Sequence, residues 1–233
     1  MGIYDRDYYR QPTQSNIFSG MRIWSVNTWL IAINVAVFVL DIIMGGPGAG
    51  PVYDWGYFSV DTAIYHLEIW RFITLQFLHA NIQHIGYNMV ALFFFGPIAE
   101  QYLGSRRYLA FYLICGIASG LSYVLLWATH ILISDPGTQL IGASGSIFGV
   151  LIAAAMIAPD VRVMLDFFIP MKLRTLAWVM VAIAAYTVLR NGDNAGGEAA
   201  HLGGAAAGLL LIKNPQILNF ANYRRPPRMR YRP

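Results

Sequence analysis

Two residues that can perform hydrolytic chemistry, Ser144 and His201, lie in otherwise apolar parts of this sequence of 233 residues. Ser144 belongs to the segment GASGSIFG at 142–149, and His201 belongs to a second glycine-rich segment near the end of the apolar sequence. A serine hydroxyl beside an imidazole is the nucleophile–base arrangement of serine hydrolases. The pair therefore predicts covalent hydrolysis, provided that the fold brings the two side chains together.

Glycines spaced for one helical face accompany both residues. Gly145 and Gly149 follow Ser144, and Gly204 and Gly208 follow His201 at intervals of three and seven residues. Small residues on one face allow two membrane helices to approach closely. Packing of the two glycine faces would bring the hydroxyl and the imidazole into hydrogen-bond distance. A plain packing face for the serine segment and a core histidine bonded to a carbonyl remain alternatives.

A third polar group comprises His79, His84 and Asn88. His84 and Asn88 are four residues apart and therefore lie one above the other on a helix. Both can present side-chain N–H groups to a developing oxyanion, and such a donor is worth about 10²–10³ in rate. We interpret His79, which precedes this helix, as part of a polar cluster that anchors the preceding loop.

The elements that must position these residues are predicted to be membrane helices. Only 12% of the residues are charged and 57% are hydrophobic, whereas a soluble domain has about 25% charged residues. A helix of about 20 apolar residues crosses a bilayer, and the runs do not alternate as barrel strands do. The charge-free runs predict six spans, at about 23–43, 83–103, 106–132, 143–158, 173–190 and 199–213.

Basic residues predict the orientation of these spans. With both termini in the cytoplasm, fourteen Lys and Arg residues fall inside and only Arg71 and Arg190 fall outside. We assign 1–22 to a cytoplasmic segment, 23–213 to the membrane domain and 214–233 to a disordered basic tail. The basic charge thus indicates the cytoplasmic segments of a membrane protein and not a nucleic-acid partner. The candidate residues all fall near helix N-termini in one leaflet, where helix dipoles favour negative charge.

These residues, taken in order, resemble the rhomboid family of intramembrane serine proteases over about residues 23–213. The resemblance rests on several short motifs and not on one serine motif alone. They are Trp70-Arg71, the series His79, His84 and Asn88, then Glu100, Gly104-Ser105, GASGSIFG at 142–149, and Ala200 to Gly204 with Gly208.

The resemblance implies an all-α bundle of six transmembrane helices, which is the simplest, prokaryotic-type form of the family, with a membrane-embedded first outer loop. In it, Ser144 would be the nucleophile and His201 the general base and then the acid. The implied oxyanion hole comprises His84, Asn88, Ser144 and Gly142. The residues with an implied supporting role are Trp70, Arg71, His79, Gly145, Phe148, Gly149, Gly204 and Gly208.

Family members use a dyad, so Glu198 is assigned to a cap formed by loop 5 at about 190–198 and not to a triad. The resemblance also implies single-span membrane-protein substrates, a location in the plasma or inner membrane, and no cofactor or metal.

Three other functions compete with this interpretation. A non-proteolytic rhomboid-like protein would bind membrane clients, although such relatives usually lose the serine or the histidine. A metalloprotease would use His79, His84 and His201, but the sequence has no HExxH-type spacing. A transporter would need polar residues across the whole bilayer, whereas these cluster near one face.

Overall fold

The computed structural model describes residues 24–132, 134–165 and 169–222. These residues form eight α-helices and one two-stranded hairpin. The elements are α1 (Val26–Ile43), α2 (Pro51–Gly56), α3 (Arg71–Thr74), α4 (Ile82–Leu103), α5 (Ser105–Ala128), α6 (Ser144–Ile157), β1 (Arg162–Leu165), β2 (Ile169–Lys172), α7 (Leu173–Leu189) and α8 (Ala195–Lys213). The predicted segment 1–22 lies outside the described residues.

The prediction of an all-α membrane bundle is confirmed. Within the described residues, α1, α5 and α8 are long and apolar enough to cross a membrane, and α6 and α7 are shorter apolar helices. Helix α4 has 22 residues but carries the polar residues His84, Asn88 and Glu100. All six long helices coincide with the predicted spans.

Two helix boundaries differ from the sequence prediction by about four residues. Helix α5 ends at Ala128 because His130 adopts a left-handed conformation with φ of 58°. Helix α8 begins at Ala195, immediately after the left-handed residue Asn194. Its first turn is rich in glycine, which has low helix propensity. Tertiary packing overrides that propensity, since a Cβ on Gly196 would lie 2.9 Å from the Tyr123 ring.

Helix α6 is the central helix of the bundle, and each of its residues from Gly145 to Ala155 is buried. It packs against α8 through backbone contacts between glycines. A Cβ atom on Gly204 would overlap the carbonyl oxygen of Gly145, and one on Gly208 would lie 2.5 Å from the Cα of Gly149. This close crossing brings the start of α6 beside the first two turns of α8.

The first loop folds against the bundle through the pair Trp70 and Arg71. The buried Arg71 guanidinium pairs with Glu68, donates to the carbonyl of Tyr57 and lies 4.7 Å from the centre of the Tyr57 ring. Trp70 stacks on Trp55 at 5.9 Å and donates its indole N–H to the carbonyl of that residue. These contacts fix the segment that leads into α4.

Glu100 joins three helices at the end of the bundle opposite the start of α4. Its carboxylate accepts the backbone N–H groups of Val26 and Asn27, each at 2.9 Å, and the hydroxyl of Ser105 at 2.6 Å. The carboxylate therefore satisfies unpaired N–H groups in the first turn of α1, where a negative charge is favourable.

Two features were not predicted from the sequence. Strands β1 and β2 pair antiparallel between α6 and α7. Next to this hairpin, a hydrogen bond from Lys172 and the nearby Arg174 charge hold the pKa of Asp160 below its usual range.

The prediction of a disordered tail from residue 214 is wrong for Pro215–Asn222, which form a 3₁₀ helix against α5. Leu218 orders this segment because its side chain is completely buried in the core. Residues 223–233 lie outside the described part.

Candidate active site

Ser144 and His201 meet where α6 begins. The Ser144 hydroxyl lies 2.7 Å from Nε2 of His201, which is a normal hydrogen-bond distance. The His201 imidazole stacks on the Phe148 ring with centroids 4.1 Å apart and planes inclined by 8°. Phe148 lies one turn after Ser144 on the same helix, so α6 supplies both the hydroxyl and the surface on which the imidazole rests.

Glu198 contacts the other nitrogen of the same imidazole. Its Oε2 lies 2.9 Å from Nδ1 of His201. The assignment of Glu198 to a loop cap is wrong, because the residue lies in the first turn of α8, three positions before His201. A protonated Nδ1 donates to this carboxylate, and Nε2 is then free to accept the proton of Ser144. The sequence signal for this contact was the spacing of three between Glu198 and His201. That spacing indicates a contact only where the segment is helical.

His84 directs a ring nitrogen toward Ser144. Nδ1 of His84 accepts the backbone N–H of Ala80 at 3.3 Å, so in the neutral ring the proton is on Nε2. A Cβ atom on Gly142 would lie 2.8 Å from this Nε2 and 3.5 Å from the Ser144 hydroxyl. The bare Cα of Gly142, whose φ is +128°, thus leaves room between a donor and a nucleophile.

The structure modifies the prediction for Gly142. Its N–H donates to the carbonyl of Leu75 at 2.8 Å, so this N–H is not free to stabilise an oxyanion. The N–H of Ser144 is different, since Ser144 is the first residue of α6 and the first four N–H groups of a helix have no partner within it.

Asn88 lies one turn after His84 on α4. The residue is buried, and its Nδ2 has no hydrogen-bond partner in the described part of the chain. A buried amide donor without a partner is costly. It is therefore available to an oxygen atom that would enter the site, although Asn88 does not itself line the open cavity.

His79 packs beneath His84 and is completely buried. The two rings form an edge-to-face pair with centroids 5.0 Å apart. His79 lies in the loop before α4, where burial, together with the neighbouring His84, lowers its pKa to about 3. It is therefore neutral at physiological pH, and its role in anchoring the loop stays a prediction.

Gln76 is a buried residue at the site that the sequence analysis did not single out. Its Oε1 accepts the hydroxyl of Ser146 at 2.9 Å, and its Nε2 donates to the carbonyl of Phe72 at 3.0 Å. It thereby ties the first loop to the first turn of α6. Gln76 could have been identified from the sequence, because it is a polar residue inside a charge-free run.

A cavity of about 620 Å³ opens beside the Ser144 hydroxyl. His84, Gly142, Ser144 and His201 lie on its wall, and the segment 191–197 before and within the start of α8 closes another side. The cavity is large enough for a stretch of polypeptide and for water. Across the described ranges, no group of three His, Cys, Asp or Glu side chains is arranged to hold a metal ion.

The sequence matches a family model described as a Rhomboid domain over residues 66–213. It is 29% identical to Rhomboid protease AarA of Providencia stuartii over 83% of this chain and 74% of that protein. It is 25% identical to the mitochondrial RHOMBOID-like protein 12 of Arabidopsis thaliana, over 88% of this chain and 66% of the relative. Rhomboid protease GluP of Bacillus subtilis (strain 168) is 30% identical, but the chain covers only 32% of its length.

Proposed function

Because the chain belongs to the rhomboid family, we propose that it is an intramembrane serine endopeptidase that uses Ser144 and His201. It is a multi-pass membrane protein, and relatives such as AarA and GluP are named rhomboid proteases. The observation that carries the proposal is the 2.7 Å hydrogen bond between the Ser144 hydroxyl and Nε2 of His201. This pair opens onto a cavity large enough for a peptide segment.

In the proposed reaction, the Ser144 oxygen attacks the scissile carbonyl carbon while Nε2 of His201 takes the hydroxyl proton. His201 then gives that proton to the leaving amine, and the C–N bond breaks to form an acyl-enzyme. Water then attacks the acyl carbon while His201 takes its proton, and His201 returns that proton to the Ser144 oxygen as the bond between Ser144 and the acyl group breaks. The Phe148 stack supports this sequence because it gives the imidazole a flat surface against which to pack beside Ser144.

The oxyanion formed in each half of the reaction would lie between α4 and α6. Nε2–H of His84, the backbone N–H of Ser144 and the amide of Asn88 are the proposed donors. The positive end of the α6 dipole at Ser144 adds to this stabilisation. Gly142 contributes by having no Cβ, which would otherwise occupy the space beside His84.

Membrane proteins are the proposed substrates, in particular proteins with a single span. The site lies at the end of the bundle where α4, α6 and α8 begin, and the bias of basic residues supports an outward position for this end. We therefore propose a plasma or inner membrane protein with a cytoplasmic N-terminal segment at 1–22, a membrane domain at 23–213 and a basic cytoplasmic C-terminus. No cofactor or metal is part of the proposal.

A non-proteolytic client-binding protein is the second candidate. The observation in its favour is that matched plant relatives, such as RHOMBOID-like protein 12, are named only as rhomboid-like. Such a protein would bind a membrane client in the same cavity without forming a covalent bond to Ser144.

Covalent labelling separates the two candidates. The purified protein is incubated in detergent with a fluorophosphonate probe, and the adduct is mapped by mass spectrometry. We expect a single adduct on Ser144, with none on Ser146, which is buried and bonded to Gln76. A model single-span substrate should be cleaved in the same preparation. Absence of both label and cleavage would favour the client-binding protein.

Removal of one proposed oxyanion donor should reduce turnover without abolishing it. We expect kcat for a model substrate to fall about 10²-fold in His84→Ala and in Asn88→Ala. KM should change little, because the oxyanion exists only in the transition state and intermediates. Gln83→Ala, an exposed change on the same helix, is the matched control. Wild-type kcat in both variants would exclude these side chains from the oxyanion hole.

A further inference from the structure

We propose that Glu198 is a positioning residue for His201, so that the site works as a Ser144–His201–Glu198 array and not as a dyad. This inference rests on the proposed function, because it concerns the same histidine. It starts from one contact, the 2.9 Å distance between Oε2 of Glu198 and Nδ1 of His201. Serine hydrolases commonly use a carboxylate at this nitrogen to hold the imidazole in the reactive tautomer.

The backbone holds Glu198 where this contact is favourable. Its N–H donates to the carbonyl of Asn194 at 3.0 Å, which fixes the residue in the first turn of α8. His201 follows three positions later, on the same side of the helix. The side chains of His201 and Glu198 are only 14% and 20% exposed, so their contact is largely shielded from water.

The Glu198 carboxylate selects an orientation of the imidazole that the Phe148 stack leaves undetermined. Stacking fixes the plane of the imidazole at 8° to the Phe148 ring. A half-turn about the Cβ–Cγ bond leaves that plane unchanged but exchanges the nitrogen positions with carbon positions. Only a polar partner at the ring edge distinguishes the two orientations. The Glu198 carboxylate favours the orientation and tautomer in which Nδ1–H points to Oε2 and the lone pair of Nε2 points to Ser144.

The carboxylate also favours the charged intermediate. When Nε2 takes the Ser144 proton, the imidazole becomes a cation that donates from both nitrogens. One of these donors already faces a carboxylate, so no group has to reorganise as the charge develops. The carboxylate itself keeps no proton at any step, and the proton balance of the reaction remains between Ser144, His201, the leaving amine and water.

A purely structural role for Glu198 makes a different prediction. An acidic residue in the first turn of a helix stabilises the helix through its dipole. Loss of that contribution would lower the thermal midpoint of unfolding and leave kcat per folded molecule unchanged. Positioning of His201 affects kcat instead, because the orientation of the base matters in the chemical step. Measuring kcat, KM and the thermal midpoint in the same variants therefore distinguishes the two roles.

The test compares Glu198→Gln and Glu198→Ala with Asp54→Asn, which removes an exposed carboxylate from the first turn of another helix, α2. Each variant is reconstituted in proteoliposomes with a single-span substrate, and kcat, KM and the thermal midpoint are measured. We expect kcat to fall about 10- to 100-fold in Gln and further in Ala, less than the roughly 10⁴-fold of soluble triads, because Glu198 is partly exposed. KM and the midpoint should stay close to wild type, and kcat of Asp54→Asn should be unchanged.

Two results would overturn the positioning role. One is a kcat within twofold of wild type in both Glu198 variants, and the other is an equal loss of kcat in Asp54→Asn. Ser144→Ala in the same assay keeps this failure separate from failure of the proposed function. If Ser144→Ala is inactive while the Glu198 variants behave as wild type, only the array is wrong. If Ser144→Ala still cleaves, the serine protease proposal itself is wrong.

Discussion

Exchange of His201 for alanine is expected to reduce kcat for a membrane-protein substrate by at least about 10⁴-fold. The imidazole is the base in contact with the Ser144 hydroxyl, at 2.7 Å. Without it, the hydroxyl has to lose its proton to water, and it is a weak nucleophile in that state. Cleavage in proteoliposomes measures the loss, and fluorophosphonate labelling of Ser144 should fall with it.

The double variant Ser144→Ala/His201→Ala provides the sharper form of this prediction. Residues that act as one unit have non-additive effects, so the double variant should be no slower than either single variant. His66→Ala removes an exposed imidazole in the first loop and should behave as wild type. Losses that multiply in the double variant would mean that the serine and the histidine act independently, contrary to the proposed mechanism.

Gly204→Ala is expected to destabilise the bundle by more than about 3 kcal/mol, at the upper end of the cost of overpacking. The new methyl group would overlap the carbonyl oxygen of Gly145. Because the obstacle is backbone, no side-chain rotation relieves it, and α6 and α8 have to separate. Separation also moves Ser144 away from His201, so activity should be lost together with stability. Thermal unfolding in detergent and substrate cleavage measure the two effects.

Gly86→Ala is the matched control for this prediction. Gly86 lies on α4, and a Cβ there would have no heavy atom within 4 Å among the described residues. Alanine has a higher helix propensity than glycine, so the control should be neutral or stabilising by up to about 1 kcal/mol. If Gly204→Ala were as stable and active as Gly86→Ala, the backbone contact between α6 and α8 would be absent in the working protein.

Glu198 illustrates how the structure changes the functional interpretation. The sequence shows an acidic residue three positions before His201, in a stretch that the family resemblance assigned to loop 5. In a loop, the spacing carries no information about contact. In the structure the same stretch is the first turn of α8, and the carboxylate reaches the imidazole. If the positioning role is correct, this member of a family expected to use a dyad has a third member in its site.

Gly142 and Gln76 show that membership of a sequence motif does not decide which contacts a residue makes. Gly142 belongs to the serine motif, and the family resemblance implied that it is part of the oxyanion hole. In the structure the Leu75 carbonyl takes that N–H. Gln76 belongs to no motif, yet its side chain links the first loop to Ser146. Neither contact follows from spacing, because the partners are distant in the sequence and meet only when the loop folds onto α6.

Sequence patterns predicted the membrane class, the positions of the six long helices and the candidate pair Ser144 and His201, and the resemblance of several motifs indicated the rhomboid family. Apolar runs and residue spacing are local properties, and a polar residue inside an apolar run is costly in a bilayer and therefore indicates function before the fold is known. Tertiary structure alone decided that Glu198 faces His201, that Gly142 has no free N–H and that Leu218 orders Pro215–Asn222. These outcomes depend on which backbone groups are already satisfied and which surfaces are already covered, and only the packed chain fixes both.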